Sequence, residues 1–579
     1  LGYRLKIEPN GFSQDIICPS TKFILLPSSF RSREPEEGEK MSYLKNVATR
    51  WAGNPDSTPQ SQPIPGTDQI ANSAGGYSWA VDDWMRLHRF LVLGSEGGSF
   101  YATERALTTQ NAAAVKRCIA QDGARAVKVI VDITTAGRAP KNDPALFALA
   151  LAASAEDEAT RKLALAALPQ VARIGTHLMH FAAFVDSQRG WGSGLRNAVG
   201  AWYNSKPAHD LGYQALKYQQ RDGWSHRDLL RLSHPQPQTD SHRTIYHWIT
   251  QGWEGVGELP HPDAALQQIW AMERAKKVDS HELVQLIRDY RLPREAIPTP
   301  ALNDPAVWES LLDDMPMTAL IRNLATLTRV GLLTLNSTTL ARVTAQVTDE
   351  ARLLKARVHP IAVLAALKTY SQGRGERGRN TWEPVPAVID ALDKAFYYTF
   401  GNVATNGKRW VLALDVSGSM TCGNVAGVPG LTPRVASAAM ALITAAREPN
   451  YRVMGFSSQF VPLKITARQR LDDVLKTVDN LPFSGTDCAL PMQWALQNKV
   501  EADVFVVYTD SETWAGKTHP AQALRKYRDK MGIAAKLIVV GMVSNGFTIA
   551  DPDDAGMLDV VGFDSATPQV ISDFASGKI

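Results

Sequence analysis

Cysteine is scarce in this chain. Four residues in 579, Cys18, Cys118, Cys422 and Cys488, are scattered with no C-x-x-C pair. That excludes a disulfide framework and a zinc ribbon, and it fits a reducing, cytoplasmic setting. Long apolar runs are also missing; none approaches the ~18 residues of a membrane span. There is no Walker A loop and no G-x-S-x-G turn, so neither a P-loop nor a hydrolase nucleophile has an anchor. A large excess of one charge is absent too: 62 basic against 58 acidic residues give +4. Residues 401–579 carry 17 of each sign and residues 1–40 carry 6 of each, so the whole excess lies in 41–400, with eleven of the twelve histidines. A polyanion partner is therefore expected on that middle part, at a local patch.

The chain is long enough for at least two domains. Residues 1–67 are read as an extension and lead-in outside the fold. Residues 1–40 lack periodicity and end in a charged run, and are expected to be disordered or not natively translated. Residues 52–66, rich in Pro, Ser and Gln, are expected to be a flexible lead-in. From 68 to 400 the pattern is helix after helix, as in Ala145 to Ala153 behind Pro144 and in Ile361 to Leu367. Helix pairs of irregular length suit an α-solenoid. Periodicity alone also allows a compact helical domain.

Residues 401–579 alternate strand and helix. Strands are expected at Trp410–Leu414, Tyr451–Phe456, Asp503–Tyr508 and Ala535–Gly541, with helices at 432–446, 468–480, 489–498 and 519–531. That order predicts a doubly wound parallel sheet. At the carboxyl end of its first strand stands Asp415-Val416-Ser417-Gly418-Ser419. Ligands bind beyond the carboxyl ends of such strands. Hard oxygen donors there suit Mg²⁺.

The D-x-S-x-S pattern, with Gly485-Thr486-Asp487 and Thr509-Asp510-Ser511 following, resembles the metal-ion-dependent adhesion site of von Willebrand factor A domains. The resemblance implies one divalent ion, Mg²⁺, held by Asp415, Ser417, Ser419, Thr486 and Asp510. A partner's acidic residue would fill the open position. Arg434, near the start of the following helix, carries no reading of its own.

Longer blocks speak for the helical part. Gln69 to Ser73, Arg86 to Leu91, Gly94 to Gly98, Arg173 to Leu178, Ala201 to Asn204, Arg221 to His234, Met315 to Leu320 and Ala356 to Pro360 resemble the TROVE module of the Ro sixty-kilodalton autoantigen family, in its bacterial form. Ser544 to Asp554 is a further match in the last domain. The resemblance implies a HEAT-like helical-repeat ring bridged by the von Willebrand-type domain, a monomer. It implies Y-like RNA on the outer rim. It also implies a hole that takes the 3′ ends of misfolded or precursor non-coding RNA, ribosomal RNA included. A 3′–5′ exoribonuclease such as polynucleotide phosphorylase is the implied partner, no membrane is involved, and no catalytic residue is assigned.

Lys217, Arg221 and His234 match family positions implicated in Y RNA contact. Their chemistry fits phosphate binding. Lys217 and Arg221, four apart, are expected on one helix face. A solvated helix face explains that spacing equally well without the resemblance. Trp202, Trp224, Trp248 and Trp253 are read as core rather than base platforms. The H-x-x-H pair His177 and His180 lacks further ligands nearby in sequence. The competing function is a metal-dependent protein-interaction scaffold whose helices bind protein; a nuclease is a distant third.

Overall fold

The structure is a computed structural model. It describes residues 57–95, 99, 102–252, 263–375, 380–400, 405–428, 430–479, 481 and 485–578. The expectations for residues 1–56, and for Trp253, lie outside the described residues.

Helices run from Asp83–Leu93 to Pro386–Tyr398, each packed mainly on near neighbours in the chain. Their starts are locally encoded. Thr103, Asp122, Asp157, Thr239, Asp279, Ser337 and Asp349 accept hydrogen bonds from first-turn backbone N–H groups, and Pro144, Pro305, Pro360 and Pro386 occupy first turns. Both devices satisfy or remove donors that a helix start leaves orphaned.

The array closes on itself into a ring. The Arg357 guanidinium donates to the Thr135 carbonyl, and His359 Nε2 lies 2.8 Å from the Arg138 carbonyl, across more than two hundred residues. Gly137 makes the approach possible: it ends its helix in the left-handed region (φ 68°), and a Cβ there would stand 3.3 Å from the Arg357 stem.

The last domain is the expected α/β fold. Its sheet runs, in spatial order, Met557–Val561, Lys536–Gly541, Val504–Thr509, Trp410–Asp415, Tyr451–Phe456 and Phe460–Pro462. All pairings are parallel except the last, an antiparallel edge hairpin. Side chains alternate between faces. Leu412, Leu414, Val506 and Val540 belong to the core shared with the helices, whereas Val411, Ala413, Val507 and Val539 pack with Ile64 and Trp79.

Ile64 corrects the reading of 52–66 as a flexible lead-in, over its described residues from 57 on. The segment is part of the sheet domain. Gln60 is fully buried; its amide donates to Asp487 Oδ1 (2.7 Å) and the Thr518 carbonyl (2.8 Å), and it accepts from Thr513. Thr58 pairs with Gln522 in the same way. Polar side chains that read as loop in sequence here satisfy buried polar groups of another element. The boundary at 68 also moves, because the strand Tyr77–Ala80 pairs with Phe547–Thr548 of the last domain.

His359 supplies a test of ring closure. Its Nδ1 accepts from the Ile361 N–H (3.2 Å), which leaves Nε2–H to donate to Arg138. Burial pushes its pKa down from 6.5 to about 4; burial likewise takes His226 to about 4 and His177 to about 3. The folded state thus holds these rings neutral. Their contribution is intact above pH 6.5 and is lost as pH falls toward 4, because the unfolded chain then binds the protons. Each pH unit in that window costs up to about 1.4 kcal/mol per ring. Between pH 7.5 and 5.5 the wild type is expected to lose more stability than His359→Gln, by about 1 kcal/mol, in urea unfolding; equal losses would exclude His359 from the acid response.

Candidate metal centre and nucleic-acid surface

The fully buried strand Trp410–Asp415 delivers Asp415 to the sheet's carboxyl edge. Asp415 is 1% exposed. It accepts from the Ser417 N–H (2.9 Å) and from Thr509 Oγ1 (2.6 Å). Ser417 and Ser419 place their hydroxyls 3.0 Å apart. Asp510, one residue past the end of the neighbouring strand, takes a hydrogen bond from Ser419 and another from the Glu512 N–H. Thr486 is buried, and its carbonyl holds the backbone N–H groups of Trp514 and Ala515, both at 3.0 Å. Asp415, Ser417, Ser419 and Asp510 thus form one connected cluster, and the Thr486 loop is tied to the segment that follows Asp510.

The cluster is crowded with acidic groups. Burial raises the pKa of Asp415. Burial, then the charges of Asp415 and Glu512, push Asp510 up to about 8. Burial raises Glu512 to about 7. Carboxylates and hydroxyls crowded out of water are a donor set that a hard divalent cation compensates. Among the described residues no group of three or more His, Cys, Asp and Glu is arranged to hold a metal. The cluster relies instead on hydroxyls beside its carboxylates. Hydroxyls and carboxylates together are a donor set that suits Mg²⁺, and Asp415, Ser417, Ser419, Thr486 and Asp510 are the residues that would hold it.

Sequence reasoning missed three participants. Arg434, read as uninformative, is buried; its Nη2 donates to the carbonyls of Val416 (2.7 Å) and Ser417 (3.2 Å), fixing the loop that carries the serines. Glu512 accepts from the Ser73 N–H at 2.8 Å. Asn545 donates to the Asp510 carbonyl at 2.7 Å. Only the Ser544 to Asp554 block, already noted as a match, pointed to the last of these.

The surface residues are arranged differently from expectation. Lys217 is the last residue of the helix Ala208–Lys217, whereas Arg221 sits in a two-residue strand paired with Trp224, so they do not share a helix face. The cause is Asp222-Gly223, whose φ values of 52° and 78° make the two-residue hairpin turn that Asp-Gly favours. Arg221 is exposed. His234 is exposed as well, and caps the helix His226–Ser233 in the left-handed region. Lys217 is half-buried, with Nζ 3.1 Å from the Tyr213 hydroxyl.

The neighbouring histidines are structural. His226 is buried against the Tyr203 hydroxyl (2.8 Å), and Asp228 is spent on the capping box of its helix. His180 is bonded to Asp222 and His177 faces Asn142, so the H-x-x-H pair is divided between two partners. Trp202 is core, as expected; Trp224 is half-buried against Trp191, 5.3 Å between ring centroids.

A helical ring joined to a von Willebrand-type sheet defines a two-domain class. The TROVE domain family model matches residues 70–291 and 290–369, and the Ro60 vWA domain model matches 409–575. RNA-binding protein RO60 of Deinococcus radiodurans is 46% identical over 540 residues, covering 93% of this chain and all of that one. The Caenorhabditis elegans protein of the same name is 37% identical, covering 88% of this chain and 90% of its own. The crystal structure of the Deinococcus radiodurans RO (RSR) protein superimposes with a TM-score of 0.66, covering 86% of this chain and 100% of that one. The chain belongs to the TROVE-domain Ro60 family.

Asp415→Ala combined with Ser417→Ala is expected to abolish Mg²⁺ binding in calorimetry while leaving RNA affinity in a gel shift within about twofold, a difference below 0.5 kcal/mol. An equal loss of both would end the separation of the two sites.

Proposed function

We propose that this protein binds RNA on its helical ring and acts in RNA quality control as a ribonucleoprotein. Y-like RNA occupies the outer surface around Lys217, Arg221 and His234. The single-stranded 3′ ends of misfolded or precursor RNAs, ribosomal RNA included, enter the ring. A 3′–5′ exoribonuclease, of the polynucleotide phosphorylase kind, processes what the ring presents.

One observation carries the reading. Two exposed groups, Arg221 and His234, stand at the turns on either side of the helix His226–Ser233, with Lys217 ending the helix before them. Fixed donors at turns suit the phosphates of a folded RNA, whose backbone dominates affinity. The relatives' name, RNA-binding protein, agrees with it. No helix among the described residues is long and apolar enough to cross a membrane.

A second reading, compatible with the first, concerns the metal centre. Trp514 is 44% exposed, and a Cβ on Gly485 would stand 2.8 Å from its ring, so a large apolar surface lies directly beside the Thr486 loop. Exposed tryptophan is a typical anchor of protein interfaces. A Mg²⁺ held there would attract a partner's carboxylate, and Trp514 would supply apolar contact next to it.

The test of the outer site is salt-dependent binding. Each phosphate contact contributes roughly 0.7–0.9 to the slope of log affinity against log salt. Replacing Lys217, Arg221 and His234 together by Ala is expected to flatten the slope for a Y-like RNA by about two units, roughly one for each permanent cation. A bare single-stranded tail is expected to lose less, because stacking and other cations hold it. An unchanged slope for the Y-like RNA would return these side chains to an ordinary solvated surface.

A further inference from the structure

Lys217 also lines a cavity of the helical part. This cavity, about 320 Å³, opens between the helices Ala208–Lys217, Ser280–Tyr290 and Met317–Arg329. Neither Arg221 nor His234 lines it. Its floor is apolar, from Ile287, Leu311 and Met315.

The polar groups on its walls are unlike those of a packed core. Among the described residues Lys217 Nζ bonds to the Tyr213 hydroxyl, and it lies 5.3 Å from that ring's centroid and 5.6 Å from that of Tyr218. The Arg294 guanidinium stands 5.8 Å from the Trp308 ring centroid. Neither cation has a carboxylate within ion-pair distance among the described residues, although Glu295 is near enough for its charge to reach Lys217. Two other carboxylates stand on the rim, Asp314 at 3.6 Å from Arg291 and Asp210 at 3.6 Å from His209. Two side-chain amides also face the cavity. Gln268 donates its NH₂ to the Tyr290 carbonyl (3.0 Å) and Asn323 donates its own to the Ala319 carbonyl (2.8 Å), and each amide also carries an acceptor oxygen.

The geometry points to a nucleotide pocket: one unpaired nucleotide of a bound RNA turns its base into this cavity, with its phosphate on Lys217 and Arg294. The inference rests on the RNA-binding reading above and adds a base-reading element to it. The parts match the ligand. Unpaired cations at the mouth take a phosphate oxygen. Tyr213 offers an aromatic surface, and splayed-out bases are read in this way, by stacking and by hydrogen bonds to their edges. The amide oxygens of Gln268 and Asn323 accept from a base's amino or imino N–H groups. The volume lies at the lower end for small-ligand pockets, room for one nucleotide. The acidic rim opposes deep entry of several phosphates, which favours a single inserted residue over a threaded strand.

The test uses the full chain and a fluorescent mononucleotide, 2-aminopurine riboside 5′-monophosphate. The mononucleotide is expected to bind with quenched emission, and the unphosphorylated riboside and inorganic phosphate at least about tenfold more weakly. Arg294→Ala, an exposed change, and Asn323→Leu, which fills the cavity, should each weaken it by about tenfold or more at unchanged melting temperature. Arg294→Ala alone decides the matter if Asn323→Leu does not fold. In a Y-like RNA carrying 2-aminopurine at successive unpaired positions, one position should be quenched on binding, and that quenching should vanish in Arg294→Ala. Absence of mononucleotide binding at roughly 1 mM, phosphate binding as tightly as the nucleotide, or variants that bind like the wild type would each overturn the pocket. The RNA-binding reading fails separately, if Y-like RNA itself shows no salt-dependent affinity for the chain.

Discussion

The architecture depends on what Arg138 and Arg89 hold together. The Arg138 carbonyl receives His359 from the far end of the helical array, while its guanidinium pairs with Asp564 of the sheet domain, Nε to Oδ2 at 2.8 Å. Arg89, with a fully buried side chain, reaches Asp559 with both carboxylate oxygens at 2.6 Å and donates to the Phe547 carbonyl at 3.0 Å. Gly541 leaves the room it needs, since a Cβ there would lie 2.9 Å from the guanidinium. Breaking such a buried pair from one side leaves an uncompensated charge, at about 3–5 kcal/mol. Arg138 thus takes part in both ring closure and domain docking, and Arg89 in docking.

The same contacts relate the two candidate sites. Asn545 donates to the Asp510 carbonyl, and its own backbone carbonyl accepts from Arg89 at 3.3 Å. Glu512 holds the Ser73 N–H at the start of the helical part. The candidate metal centre therefore sits on the domain junction, whereas Lys217, Arg221 and His234 lie on the helical ring, where the excess positive charge lies.

Much of this was legible from residues alone. Strand and helix ends in the last domain fall within about three residues of the pattern-based bounds, because fully apolar strands and proline starts are local signals. The D-x-S-x-S cluster was legible because its donors lie two residues apart on one loop. What stayed hidden was set by tertiary contact. Gln60 looks like linker and is buried, because its partners are more than four hundred residues away. Arg434 looks like a surface helix residue, yet it secures a loop through carbonyls that no side-chain pattern reveals. The strand Met557–Val561 was missed, since Asp559 interrupts its apolar run to meet Arg89. Lys217 and Arg221 were put on one helix because their spacing suits one, while Asp222-Gly223 overrode it with a hairpin.

The central claim is that the helical ring binds folded RNA and a free 3′ end through different contacts. The most direct measurement compares one stem–loop RNA with and without a single-stranded 3′ tail, binding the full chain over a range of salt. The account predicts salt-dependent binding of both, tighter with the tail, and a tail contribution that survives replacement of Lys217, Arg221 and His234. Equal affinity for the two RNAs, or binding indifferent to salt, would contradict it.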